Sequence, residues 1–129
     1  MSAFESLSKA RYVNLETFRK NGTGVQTPVW VAPDGDDLVI FTNGDSYKVK
    51  RLRRNSAIRI AKCGVRGALK GPWHDGTARL VDDEATKQSA LHALRKKYGW
   101  QMLLADLGGA ISGSKKKWEV IAVRLSGSE

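Results

Sequence analysis

A chain of 129 residues, 41% hydrophobic and 27% charged, has the size and composition of one soluble globular domain, so a single domain over residues 1–129 is expected. One cysteine and two histidines argue against an intrachain disulfide or a Cys/His zinc cluster, and no metal site is expected. The net charge of +9 is local: the stretch from Ser46 to His74 carries no Asp or Glu, and outside it 13 basic residues balance 13 acidic ones.

In chain order, Ser2-Ala3-Phe4-Glu5 has capping-box spacing and predicts a short helix over 3–9. Residues 11–20 alternate, with Val13, Leu15 and Thr17 on one face and Asn14 and Glu16 on the other, so they read as a strand. Asn21-Gly22 predicts a hairpin turn with positive φ at both positions. A second strand over 25–32, a turn at 33–36 and a third strand over 38–42 complete a three-stranded meander. Ser46 caps a helix reaching Arg54, anchored by Val49 and Leu52, with Lys48 and Arg51 on another face.

A fourth strand is expected over 57–62, and glycines punctuate two more over 65–70 and 72–81. Asp82 caps a longer helix to Tyr98, with Ala85, Leu91, Leu94 and Tyr98 inward and Gly99 ending it. A helical piece over 101–107, a loop over 108–117 and a last strand over 118–125 follow. The sum is a mainly β, α+β fold: an antiparallel closed or split β-barrel with short helices.

The residues from Ser46 to His74 include Lys48, Lys50, Arg51, Arg53, Arg54, Arg59, Lys62, Arg66 and Lys70. A localised positive field implies an anionic partner: nucleic acid, a membrane surface or a phosphate-bearing cofactor. No stretch approaches the ~20 apolar residues needed to span a bilayer, and the first ten residues lack a signal peptide's apolar region. A cytoplasmic protein without a membrane partner is expected. No strand presents a pair of stacking aromatics, which argues against nucleic acid.

Familiar catalytic patterns fail. Gly108 to Lys115 lacks the Gly-Lys-Ser/Thr order of a phosphate loop, and no Gly-x-Gly-x-x-Gly follows a strand. Cys63 has no local base and reads as a buried structural thiol; His74 and Asp75 point to opposite faces of a strand. No protein-borne catalytic constellation is visible. That leaves a binding module, or an enzyme whose cofactor carries the chemistry.

Three stretches together carry a family resemblance: Thr17-Phe18-Arg19-Lys20-Asn21-Gly22, Thr27-Pro28-Val29-Trp30-Val31, and Phe41-Thr42 followed by Ser46 to Asn55. Arg66-Gly67, Gly71-Pro72-Trp73 and Gly76-Thr77-Ala78-Arg79 extend it. The chain resembles the pyridoxamine-phosphate-oxidase-like split barrels, and more narrowly their actinobacterial deazaflavin-dependent branch. The resemblance implies a six-stranded antiparallel split β-barrel of the FMN-binding type. It also implies a homodimer with the cofactor groove between subunits, for which Trp73 and its strand are the interface candidates.

The implied function is an oxidoreductase that transfers a hydride to a small-molecule substrate. The cofactor would be coenzyme F-420, a deazaflavin, with FMN as the alternative; a haem-binding or carrier barrel would share the fold. Carried over, Gln26, Thr27, Pro28, Val29 and Trp30 would line the ring site. Thr42, Ser46, Lys48 and Arg51 would hold the phosphate. Five cations between Lys48 and Arg54 suit a phosphodiester with a polyglutamate tail better than one phosphate requires.

Overall fold

A computed structural model of the chain describes residues 2–43, 47–99 and 118–126. The elements are α1 (Ala3–Lys9), β1 (Tyr12–Phe18), β2 (Gly24–Val29), β3 (Ala32–Asp34), β4 (Asp37–Asn43), α2 (Tyr47–Arg54), β5 (Ala57–Cys63), β6 (His74–Val81), α3 (Glu84–Tyr98) and β7 (Trp118–Leu125). All the strands join one antiparallel sheet in the order β2-β1-β5-β6-β7-β4-β3. The protein is therefore mainly β, of the α+β class, with short helices. Among the described residues no helix is long and apolar enough to cross a membrane.

The strand order corrects the expected meander. β2 pairs only with β1, and β4 pairs with β7 and β3. The expected strand over 25–32 breaks at Trp30 and Val31, so β2 and β3 become the two opposite edges of the sheet. Laid flat, seven strands would put those edges ~29 Å apart. Trp30 and Val31 alone join them, a reach of about 11 Å at most. The sheet must therefore roll until its edges nearly meet, yet no ladder joins β2 to β3 among the described pairings. Both edges carry a proline, Pro28 and Pro33, where a missing N–H costs no ladder bond.

Other expectations shift by local chemistry. The hairpin after β1 has one left-handed residue, Gly22 at φ 89°, and Asn21 is not left-handed. Its Gly22 N–H bonds Arg19 O at 2.8 Å, and Asn21 Oδ1 accepts from Thr23 N–H at 3.0 Å. A three-residue turn ending in left-handed glycine matches strand twist as well as the two-residue turn does. No strand forms over 65–70; a turn with Gly67 at φ 90° stands there, attached by one bridge between Cys63 and Leu69. The third helix is capped by Asp83, not Asp82: its carboxylate accepts from Thr86 N–H at 2.9 Å. Leu94 and Tyr98 face inward as expected, Leu91 is partly covered, Ala90 joins them, and Ala85 is exposed. The helix expected over 101–107 and the loop over 108–117 lie outside the described residues.

Two cores result, one on each face of the sheet. The inner face gathers Val13, Leu15, Ile40, Ile58, Ile60, Ile121 and Val123, sealed by Leu7 of α1 and Leu52 of α2. The outer face gathers Val39, Val81, Val120 and Ala122 beneath Ala90, Leu94 and Tyr98 of α3. Gly76 on β6 has no room for a side chain, because a Cβ there would stand 2.7 Å from Arg124 O on β7.

Candidate functional site

α2 is amphipathic. Val49 and Leu52 are buried, which holds the helix against the inner face of the sheet beside β1 and fixes where its cations point. Between this helix and β2 lies a groove of about 800 Å³. Val25, Gln26 and Thr27 form the strand wall; Tyr47, Lys48, Lys50, Arg51 and Arg54 form the helix wall, and Arg19 stands at the hairpin end. The volume falls in the range of small-molecule sites.

The cations crowd each other. Arg51 donates its Nε–H to Thr17 Oγ1 at 2.6 Å, and Thr17 is wholly buried. With Nε anchored, the Nη groups of Arg51 are the free end. Burial lowers the Lys48 pKa, and the charge of Arg51 lowers it further. Arg51 is itself pulled down by burial, then by Arg19 and Arg54. Among the described residues, no carboxylate ion-pairs with Arg19, Lys48, Lys50, Arg51 or Arg54. An anion placed here would stabilise every charge that the protein itself leaves uncompensated.

Of the residues singled out in the sequence, the groove brings together Gln26, Thr27, Lys48 and Arg51. Pro28 is exposed near Gly67, and Val29 packs on the inner core. Trp30 turns away: its ring stacks on Tyr98 at 4.5 Å and meets Phe41 edge-on at 6.1 Å. Thr42 is buried on β4 opposite Glu119 and does not line the groove. Ser46 lies outside the described residues. The thiol of Cys63 is buried and pushed up by that burial, as a structural cysteine should be.

Sequence reasoning missed Thr17, Arg19, Val25 and Tyr47 as site residues, and named neither Lys50 nor Arg54 among the residues that would hold the phosphate. Thr17 left one signal: it is the polar member of the Val13, Leu15, Thr17 face, so a buried hydroxyl had to find a partner. Arg19 left none, because only the hairpin's fold brings it to α2. Gln26 has a further link. Its Nε2 donates to Glu16 Oε2 at 3.3 Å, and Glu16 Oε1 accepts from Arg59 Nη1 at 3.2 Å.

The described residues contain no cluster of His, Cys, Asp and Glu able to hold a metal ion. The fold is a rolled antiparallel sheet flanked by a cationic groove of small-molecule size. The family model for pyridoxamine 5'-phosphate oxidase matches residues 2–126, and the chain belongs to that family. No curated protein matches the sequence significantly.

Solved structures share the fold. A candidate 5-nitroimidazole antibiotic resistance protein from Bacteroides thetaiotaomicron is 14% identical with a TM-score of 0.71, over 96% of this chain and 78% of that one. HutZ, the haem storage protein of Vibrio cholerae, is 13% identical with a TM-score of 0.69, over 96% and 87%. An F420 reductase is 19% identical with a TM-score of 0.65, over 98% and 96%.

Proposed function

We propose that the groove binds coenzyme F-420, with FMN as the alternative, and that the protein is a cytoplasmic oxidoreductase reducing a small unsaturated organic substrate. One observation carries this reading: five cations line a groove of about 800 Å³ and none is ion-paired to a described carboxylate. The family match and the fold likeness to an F420 reductase support a cofactor of this kind.

When bound, the deazaflavin supplies a two-electron hydride carrier. The chain's own residues do the holding. Lys48 and Arg51 grip the phosphate, and Thr17 keeps Arg51 aimed. Arg19, Lys50 and Arg54 attract the carboxylates of the tail. Val25 and Thr27 present a partly apolar wall that keeps water from one side of the ligand.

Counted as one strand bent at Trp30 and Val31, β2 and β3 reduce the sheet to six strands, which is how it would correspond to a split barrel. A second copy of the chain would close the open side of the groove, with Trp73 and β6, the strand that begins just after it, at the interface. Trp73 is half-exposed and lies under the Arg59 guanidinium at 4.7 Å, so it is free to be covered.

The test is a titration of purified protein with coenzyme F-420, FMN and haem, with mass measured by sedimentation on the same sample. Saturable binding of coenzyme F-420 to a dimer, lost in Lys48→Ala/Arg51→Ala, is the expected result. Haem binding that survives the double substitution would overturn it. So would preferential oligonucleotide binding with a steep salt slope.

A further inference from the structure

Trp30 was the aromatic residue that the sequence offered for a ring site, and the fold spends both of its neighbours on Tyr98 and Phe41. The aromatic that does line the groove is Tyr47, at the start of α2. Its exposure is 74%, the highest of the described large hydrophobics. It is not loose in solvent: the Lys50 ammonium sits 5.1 Å from its ring centroid. A cation over one face of a phenol ring leaves the other face for a second partner.

The wall across from α2 suits such a partner. β2 turns Val25 and Thr27 toward the sheet's inner side, both partly covered, and both line the groove. An aliphatic wall facing an aromatic ring makes a slot that a flat conjugated system fills and a bare phosphate does not. Gln26, between Val25 and Thr27 in the chain, turns to the other face of β2, where its amide N–H goes to Glu16, which Arg59 holds in turn.

We propose that Tyr47 is the ring-positioning residue of the groove: it stacks one face of a planar, anion-bearing ligand against Val25 and Thr27. The ligand class is a planar conjugated ring carrying an anionic chain. This rests on the groove reading above, and adds that ring recognition sits at the head of α2 rather than at Trp30.

The experiment compares ligands with and without a ring. Coenzyme F-420, FMN and inorganic pyrophosphate are titrated into wild type, Tyr47→Leu, Tyr47→Phe, Trp30→Phe and Lys48→Ala. Flavin or deazaflavin fluorescence is recorded alongside affinity, because a stacked phenol quenches it. Tyr47→Leu should weaken the better-bound ring ligand about tenfold and relieve the quenching, as loss of one stacked aromatic does. Tyr47→Phe and Trp30→Phe should hold affinity within about twofold, and pyrophosphate should not notice Tyr47 at all. Lys48→Ala should weaken ring ligands and pyrophosphate alike. If Tyr47→Leu leaves ring affinity and quenching unchanged while Lys48→Ala weakens both ligand types, the Tyr47 assignment falls and the groove survives. If wild type binds none of the three, both fall.

Discussion

Arginines and lysines on the two sides of the sheet are treated in opposite ways. On the outer face every arginine that points along the strands meets an acid. Arg59 lies 3.2 Å from Glu16 and 3.9 Å from Asp75, while Arg79 and Arg124 share Asp37 at 3.4 and 2.8 Å. On the inner side, Lys48 and Arg51 are partly desolvated, press on each other and have no described carboxylate beside them. Paired charges tie strands together and gain little net energy at an exposed surface. Unpaired, desolvated charges cost stability until a ligand arrives, which is how a binding site differs from a framework.

The comparison breaks most directly at Lys48 and Arg51. Each alanine substitution should weaken coenzyme F-420 or FMN by roughly ten- to a hundred-fold, as loss of one charge-assisted contact does. Melting temperature should hold or rise in Lys48→Ala, because a repulsive charge has gone, whereas Arg51→Ala also strips the buried Thr17 hydroxyl of its partner, which offsets that gain. Calorimetric titration beside a thermal melt reads both quantities. A melting temperature that falls with unchanged affinity would make these cations structural and erase the distinction between the faces.

Arg59→Ala probes the paired side. It strips a partner from Glu16, whose side chain is only 9% exposed, and should cost roughly 1–2 kcal/mol of folding stability. The loss is held to that range because Arg59 is itself 40% exposed. Urea unfolding measures it, and pyrophosphate affinity in the same variant should change less than about twofold, since Arg59 lies outside the groove.

Within α2 the gradient should be finer. Lys50→Ala and Arg54→Ala remove charges that line the groove, and should weaken binding about two- to five-fold in dilute buffer, fading at high salt. Arg53 does not line it and should behave as wild type. Equal losses at all three positions would point to a diffuse field rather than a site.

The smallest effect is in the pH profile of stability, at the clamp between α1 and α3. Lys97 Nζ donates to the carbonyls of Ser8, Ala10 and Val31 at 2.7, 2.6 and 2.6 Å. Burial, with a lesser push from Arg11, lowers its pKa to about 8. An unfolded lysine keeps its proton to about pH 10.4, so between those values the unfolded chain binds more protons and stability rises with pH. Burial raises Tyr98 to about 12, which works the other way: above about pH 10 the unfolded chain ionises first and stability falls. Melting curves should show a shallow maximum near pH 9–10, and Lys97→Met should abolish the rising limb. A profile already falling at pH 8 would mean that the three carbonyls keep the ammonium charged.

Much of this was legible before any coordinates. Ser2 capping α1, the apolar anchors Val49 and Leu52, and the last strand at 118–125 depend on neighbours within a few residues, and local chemistry decides them. The acid-free stretch from Ser46 marked the helix whose cations line the groove. Local reading failed where distant contacts rule. The break at Trp30 and Val31 comes from Tyr98, 67 residues beyond Val31, whose hydroxyl accepts from Val31 N–H at 3.0 Å and stops β2 there. The turn at 64–70 is fixed by Asn14 Nδ2, which donates to Gly67 O at 2.7 Å from 53 residues away.

The sequence alone therefore determined the α+β class, the helix and strand types, and the presence of an unbalanced cationic helix, because periodicity and charge are written residue by residue. The tertiary structure alone decided strand order and which side chains share the groove. Those depend on how a rolled sheet brings Arg19, Thr17 and β2 against α2, and on which aromatic, Trp30 or Tyr47, the core consumes and which it leaves facing the groove.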